Sequence, residues 1–126
     1  MILGIGTDIV AIKRMDDLHA RYGARLAQRL LSPEEWGDYA GAHHKHRFLA
    51  KRFAAKEALG KALGTGIRTP VVLTAMGVAH DELGRPDFTY TPELAAWLKA
   101  RGAGATHLSL SDEQDYAVAF VIVERA

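Results

Sequence analysis

The chain has 126 residues, 48% of them hydrophobic and 25% charged, which is one domain's worth of material with enough apolar content to bury a core. Sixteen Lys and Arg against fifteen Asp and Glu leave a formal net charge of +1, so global charge makes no case for nucleic acid and any electrostatic recognition must be local. With no cysteine there are no disulfides, thiolate metal sites or cysteine nucleophiles. No apolar run reaches the ~18 residues a membrane span needs, and no secretory pattern is visible, so a cytoplasmic setting away from membranes is expected.

The stretch G-I-G-T-D-I-V, residues 4–10, reads as a strand. Period two puts Leu3, Ile5, Thr7 and Ile9 on one face and Gly4, Gly6, Asp8 and Val10 on the other. Ile12, Met15, Leu18 and Tyr22 then recur at helical spacing up to Gly23, and a second amphipathic segment, ARLAQRLLS, follows. Ser32-Pro33-Glu34-Glu35 carries an N-cap, a first-turn proline and a capping-box glutamate, so a third helix starts near Pro33. GAHHKHR reads as a loop leading into the long helix RFLAKRFAAKEALGKALGTG, which Gly64-Thr65-Gly66 stops.

Beyond Pro70 the pattern turns β-like, with an apolar run through Val78, a turn at 81–84 and a return strand from Asp87 to Tyr90. Thr91-Pro92-Glu93 opens a helix that Gly102 closes. The end, THLSLSDEQDYAVAFVIVER, reads as two strands joined by the turn Asp112 to Asp115, the second apolar enough to be central. The expected fold is a single α+β domain over residues 1–126, with a mostly antiparallel sheet packed against the long helix.

Asp8 is the first chemical candidate. Without Cβ atoms at positions 4 and 6, something bulky can approach the strand beside the carboxylate, and a hard cation bound to oxygens is one such thing. The stretch is not a dinucleotide fingerprint, because Ile9 stands at the third glycine position. Glu57 and Lys61 lie four apart on the long helix beside Gly60 and Gly64, which suggests close approach by another backbone or a ligand. A carboxylate with an adjacent cation suits a metal-bound phosphate. Arg14, Arg21, Arg25 and Arg29 form a basic cluster that is either a solvated helix face or a site for an acidic protein or phosphate-rich ligand. His43, His44 and His46 lack a metal-ligand framework, and Ser109 and Ser111 near Asp112 lack a nucleophile elbow.

GIGTDIV and RFAAKEALGKALGTGI, with the LGRP turn at 83–86 and the HLSLS…DYAVAFVIVE ending, resemble the holo-acyl-carrier-protein synthases over the whole chain. The resemblance implies an Mg²⁺-dependent enzyme of fatty acid biosynthesis. It would move 4′-phosphopantetheine from coenzyme A to a serine of apo-acyl carrier protein, leaving adenosine 3′,5′-bisphosphate. It also implies a homotrimer with sites between subunits. On matching positions Asp8 and Glu57 are metal ligands and, with Lys61 on the pyrophosphate, the catalytic set. Arg52, Gly64, Thr65 and Gly66 line the coenzyme site, and Ser109 and Ser111 meet coenzyme A across the subunit boundary. Arg14, Arg21 and Arg25 grip the carrier protein. Either a water on the metal or a carboxylate accepts the serine proton. One position departs: many relatives have histidine after the LSLS strand where this chain has Asp112, so that position's usual role is not carried over.

Two other readings use the same residues. A Mg²⁺-dependent phosphatase or nucleotide hydrolase would use Asp8, Glu57 and Lys61 without a protein-docking face. A small adaptor for an acidic helix would need no metal at all.

Overall fold

A computed structural model describes residues 1–126. Strand β1 (Ile2–Ala11) runs directly into helix α1 (Ile12–Tyr22), and Gly23, at φ +56°, ends that helix and lets the chain restart as α2 (Ala24–Leu30). The Ser32–Glu35 capping box forms as expected on a 3-10 turn over Pro33–Glu35, which continues as α3 (Trp36–Gly41). Helix α4 (Lys45–Ala62) is the long one. It starts at Lys45, two residues before the expected Arg47, and Lys45 Nζ donates to the carbonyls of Ala40 and Ala42 at 3.3 and 3.1 Å, tying its first turn to the end of α3.

The apolar run after Pro70 becomes a strand only at β2 (Met76–His80), since residues 73–75 form a 3-10 turn. Strand β3 (Pro86–Tyr90) returns after a turn with Gly84 at φ +85°. Helix α5 (Pro92–Ala100) is capped by Thr91 Oγ1, which accepts from the Leu94 amide. Strands β4 (Ala103–Asp112) and β5 (Tyr116–Arg125) complete the chain.

The sheets are antiparallel: a three-stranded one in the order β1-β5-β4, with the apolar β5 central as expected, and the β2-β3 hairpin. The register sets Gly4, Gly6, Asp8 and Val10 opposite Val123, Val121, Ala119 and Ala117, and these four β5 residues are buried. α4 lies across this inner face, and one cluster of 25 buried residues joins sheet, helices and hairpin.

The two faces of β1 are assigned opposite to their hydrophobicity. Ile5 and Ile9 remain 58% and 61% exposed on the outer face, while the glycine row faces in. The cause is helix proximity. A Cβ built on Gly4 would fall 1.7 Å from the Ala62 carbonyl oxygen, and one on Gly6 2.0 Å from that of Ala58. Gly4 and Gly6 therefore do not hold a face open for a ligand; the α4 backbone occupies that space. Small residues line both sides of the contact, with buried Ala54, Ala58 and Ala62 on α4 and Ala117 and Ala119 on β5.

Candidate active site

The close crossing of α4 over β1 places Glu57 and Lys61, one helical turn apart, beside Asp8. Lys61 Nζ donates to Asp8 Oδ1 at 3.1 Å and to the Thr7 carbonyl oxygen at 3.0 Å. Burial raises the pKa of Glu57, and the neighbouring Asp8 carboxylate raises it further. Lys61 and Arg14 oppose the shift without cancelling it. Glu57 thus sits partly desolvated beside a second carboxylate, with Lys61 and Arg14 offsetting only part of the cost of its charge.

These donors fit Mg²⁺. All are hard oxygens: the Asp8 and Glu57 carboxylates and the nearby Thr7 carbonyl already drawn to an ammonium. No group of three or more His, Cys, Asp or Glu gathers anywhere, so the chain offers no closed cage of the kind a structural transition metal takes. A cation held by two carboxylates would keep coordination positions for water and phosphate.

Beside this site runs a groove between α1 and α2. One cavity of about 270 Å³ is lined by Leu18, Tyr22, Arg25, Leu26 and Arg29. A second, of about 220 Å³, shares Leu18, Leu26 and Arg29 and extends to Arg14, Val10 and Phe53. Arg14, Arg21, Arg25 and Arg29 are all exposed, and Arg21 lies over the Tyr22 ring at 5.3 Å. Arg14, Arg25 and Arg29 therefore rim an apolar trough rather than forming a uniformly wet helix face, with Arg21 outside the two cavities against Tyr22, and the charge of Arg14 reaches Glu57.

The remaining expected residues fall in three places. The Gly64–Gly66 turn folds back on α4: the Thr65 and Gly66 amides both donate to the Gly60 carbonyl, at 3.2 and 3.0 Å, and a Cβ on Gly60 would meet the Gly66 backbone at 2.9 Å. Of the two explanations for Gly60, another backbone is the one found. Ser109 and Ser111 are exposed on the outer face of β4, in register with Phe120 and Val118, whereas Asp8 points inward in the row of Ala119 and Leu110. Within one chain the serines and the carboxylates lie on opposite sides of the sheet. Arg52 is 4% exposed and sits in the core. Its guanidinium donates to Glu35 Oε2 at 2.8 Å and to the Val78 carbonyl, so it does not line an open surface here.

Arg52 belongs to a buried ionic hub that sequence reasoning did not assemble. Glu35, 1% exposed, accepts from Lys56 Nζ at 2.5 Å, from Arg52, and from the amides of Ser32 and Val78 at 3.0 and 3.1 Å. Lys56, fully buried, also donates to the carbonyls of Leu30 and Leu73. Burial alone would raise the Glu35 pKa, but Lys56, the Ser32 backbone and Arg52 together hold it below the usual glutamate range. The signal was present: Arg52 and Lys56 fall between Leu49 and Leu59 at helical spacing, on a stripe that has to be buried.

Asp112 is paired. Its Oδ2 accepts from Arg47 at 3.0 Å and its Oδ1 lies 3.6 Å from Lys51 Nζ. Arg47 also donates to the Glu113 and Gln114 carbonyls, clamping the β4–β5 turn to the start of α4.

Comparison with known proteins is consistent along the whole chain. Residues 4–121 match the 4′-phosphopantetheinyl transferase superfamily. The holo-[acyl-carrier-protein] synthase of Dechloromonas aromatica is 54% identical over 126 residues, covering 100% of both chains. The crystal structure of holo-[acyl-carrier-protein] synthase from Neisseria meningitidis superposes with a TM-score of 0.96 at 49% identity, covering 99% of this chain and 100% of that one. A holo-(acyl-carrier-protein) synthase from Bacillus anthracis, solved in complex with CoA (3′,5′-ADP), superposes with a TM-score of 0.82 at 32% identity, covering 100% and 99%.

Proposed function

The chain belongs to the 4′-phosphopantetheinyl transferase superfamily, and we propose that it transfers 4′-phosphopantetheine from coenzyme A to a serine of apo-acyl carrier protein, releasing adenosine 3′,5′-bisphosphate. The proposed setting is the cytoplasm; no helix is long and apolar enough to cross a membrane. The observation that carries the reading is the Asp8–Glu57–Lys61 cluster at the end of an arginine-rimmed apolar groove.

Each part has a task in the transfer. Attack of a serine hydroxyl on a pyrophosphate phosphorus requires neutralised phosphate oxygens and in-line placement. Asp8 and Glu57 would hold Mg²⁺, which when bound supplies charge to the pyrophosphate. Lys61, half in solvent at the same cluster, is placed to contact phosphate oxygens. Arg14, Arg21 and Arg25 would receive the acidic surface of the carrier protein, with Leu18 and Leu26 beneath for its apolar contacts. The Gly64-Thr65-Gly66 turn would border the coenzyme. Arg52, held by Glu35, would act by fixing α4 rather than by touching ligand. The groove also favours a protein acceptor over the hydrolase reading, since water needs no docking face.

Three copies would complete the assembly. The outer face of the β1-β5-β4 sheet exposes Ile5, Ile9, Val118 and Phe120 in adjacent rows, with Ser109 and Ser111 beside them. Covering that face with further copies would remove apolar surface from water and carry both serines to a neighbour's coenzyme.

The deciding experiment is incubation with coenzyme A, Mg²⁺ and an apo-acyl carrier protein, followed by weighing the carrier. A phosphopantetheine mass gain that depends on Mg²⁺, and that disappears in Asp8→Ala and Glu57→Ala proteins of unchanged circular dichroism, is expected. No gain with several carriers would overturn the reading.

A further inference from the structure

Lys61 makes two contacts that a phosphate-binding lysine does not need. Its ammonium lies 3.1 Å from Asp8 Oδ1 and 3.0 Å from the Thr7 carbonyl oxygen, two oxygens of the set that suits a divalent cation. Its positive charge also lowers the proton affinity of Glu57, as a bound cation would. We infer that Lys61 is an internal stand-in for the metal: in the metal-free protein its ammonium occupies the oxygen cradle of Asp8 and Thr7, and an incoming divalent cation displaces it. This rests on the reading of Asp8 and Glu57 as the cation's ligands.

Exposure makes the exchange possible in one direction only. The Asp8 side chain is 16% exposed and fixed on a strand, whereas that of Lys61 is 53% exposed on a flexible stem near the end of α4. The lysine can swing out to water and the carboxylate cannot follow. The ammonium takes up Asp8 Oδ1 and the Thr7 carbonyl oxygen, so a divalent cation that uses those two atoms competes with it for them, and like charge weakens the lysine's hold once the cation is bound. Arg14 also acts on Glu57, in the same direction as Lys61.

Two consequences follow for the site. The stand-in offsets part of the repulsion between Asp8 and Glu57 when no metal is bound. Displacement also frees the ammonium at the moment the cation arrives, so metal and phosphate binding favour each other. A lysine that merely propped up Asp8 would do the reverse, and its removal would weaken metal binding.

The test is titration of the purified full-length protein with Mn²⁺ alone, read by the electron paramagnetic resonance of free Mn²⁺ and by calorimetry, without substrate or turnover. Lys61→Gln and Lys61→Met should bind Mn²⁺ about two- to fivefold more tightly than the parent, the range expected for releasing a half-exposed ion pair. Lys61→Arg, which keeps the charge, should not. Glu57→Gln in the parent background should abolish the high-affinity event. Unchanged or weaker Mn²⁺ binding by both neutral variants, with the Glu57-dependent event intact in the parent, overturns the stand-in and leaves the metal assignment standing. Absence of any Glu57-dependent Mn²⁺ binding in the parent overturns both.

Discussion

Gly6→Ala tests the contact on which the whole site depends. The added methyl would fall 2.0 Å from the Ala58 carbonyl oxygen and 2.7 Å from the Ala62 amide nitrogen, well over an ångström short of ordinary contact with the first. Both obstacles are helix backbone, so no side chain can rotate away; α4 must lift from β1. Overpacking costs about 1–3 kcal/mol when side chains absorb it, and here the upper end or more is expected, about 3 kcal/mol. That is a large share of a total stability of about 5–15 kcal/mol and corresponds to a drop in Tm of about 10 °C. Gly37→Ala is the control: it lies in α3 with nothing within 4 Å and no positive φ, so it should stabilise by up to about 1 kcal/mol. Urea denaturation of both variants, with coenzyme A titration of the folded fraction, decides the matter. If Gly6→Ala keeps the parental midpoint and loses only coenzyme affinity, the glycine serves ligand approach and the packing argument is refuted.

Glu35→Gln should cost about 3–5 kcal/mol by urea denaturation, because Lys56 and Arg52 are left as buried charges with an incomplete partner. As the folded-state pKa of Glu35 is depressed, its contribution is present above the ordinary glutamate range and lost as pH falls through the lowered value; the variant should therefore show a flatter acid limb in stability against pH. Arg14→Glu with Arg21→Glu should raise the KM for carrier protein at least tenfold at low salt, with the gap to the parent narrowing as salt rises and coenzyme A binding little changed. Asp112→His should leave transfer intact and cost less than about 1 kcal/mol, since it removes an exposed pair while Arg47 keeps its two carbonyl acceptors; a severe loss of turnover would show a direct role for the aspartate.

Asp8, Glu57 and Lys61 were legible because each sits in a short pattern that violates its surroundings: an acid on a glycine-bearing strand, and a glutamate and a lysine four apart on a helix interrupted by glycine. The glycines announced a close approach without saying of what, and the helix backbone at Ala58 and Ala62 is the answer. Period two separated the faces of β1 correctly but could not rank them, since Ile5 and Ile9 look inward by hydrophobicity and the face is decided by which side α4 can reach. The capping box revealed the bond between Glu35 and Ser32. It could not reveal that the same carboxylate meets Lys56, Arg52 and Val78, because those contacts span 21, 17 and 43 positions of chain.

The placement of Ser109 and Ser111 follows from strand parity. Asp8 shares its row with Ala119 and Leu110, while Thr7 shares the next with Phe120 and Ser109. No side-chain rotation turns Ser109 or Ser111 to the Asp8 side, and a one-residue slip would also expose the buried Ala119, Val121 and Val123. If these serines serve a coenzyme held near Asp8, that coenzyme belongs to another copy of the chain. The same parity puts Ile5, Ile9, Val118 and Phe120 on the serines' side, so the apolar surface that asks to be covered and the hydroxyls that need a neighbour share one face. On the proposed assembly, covering the isoleucines and completing the coenzyme site are therefore a single event, driven by apolar burial and used for chemistry.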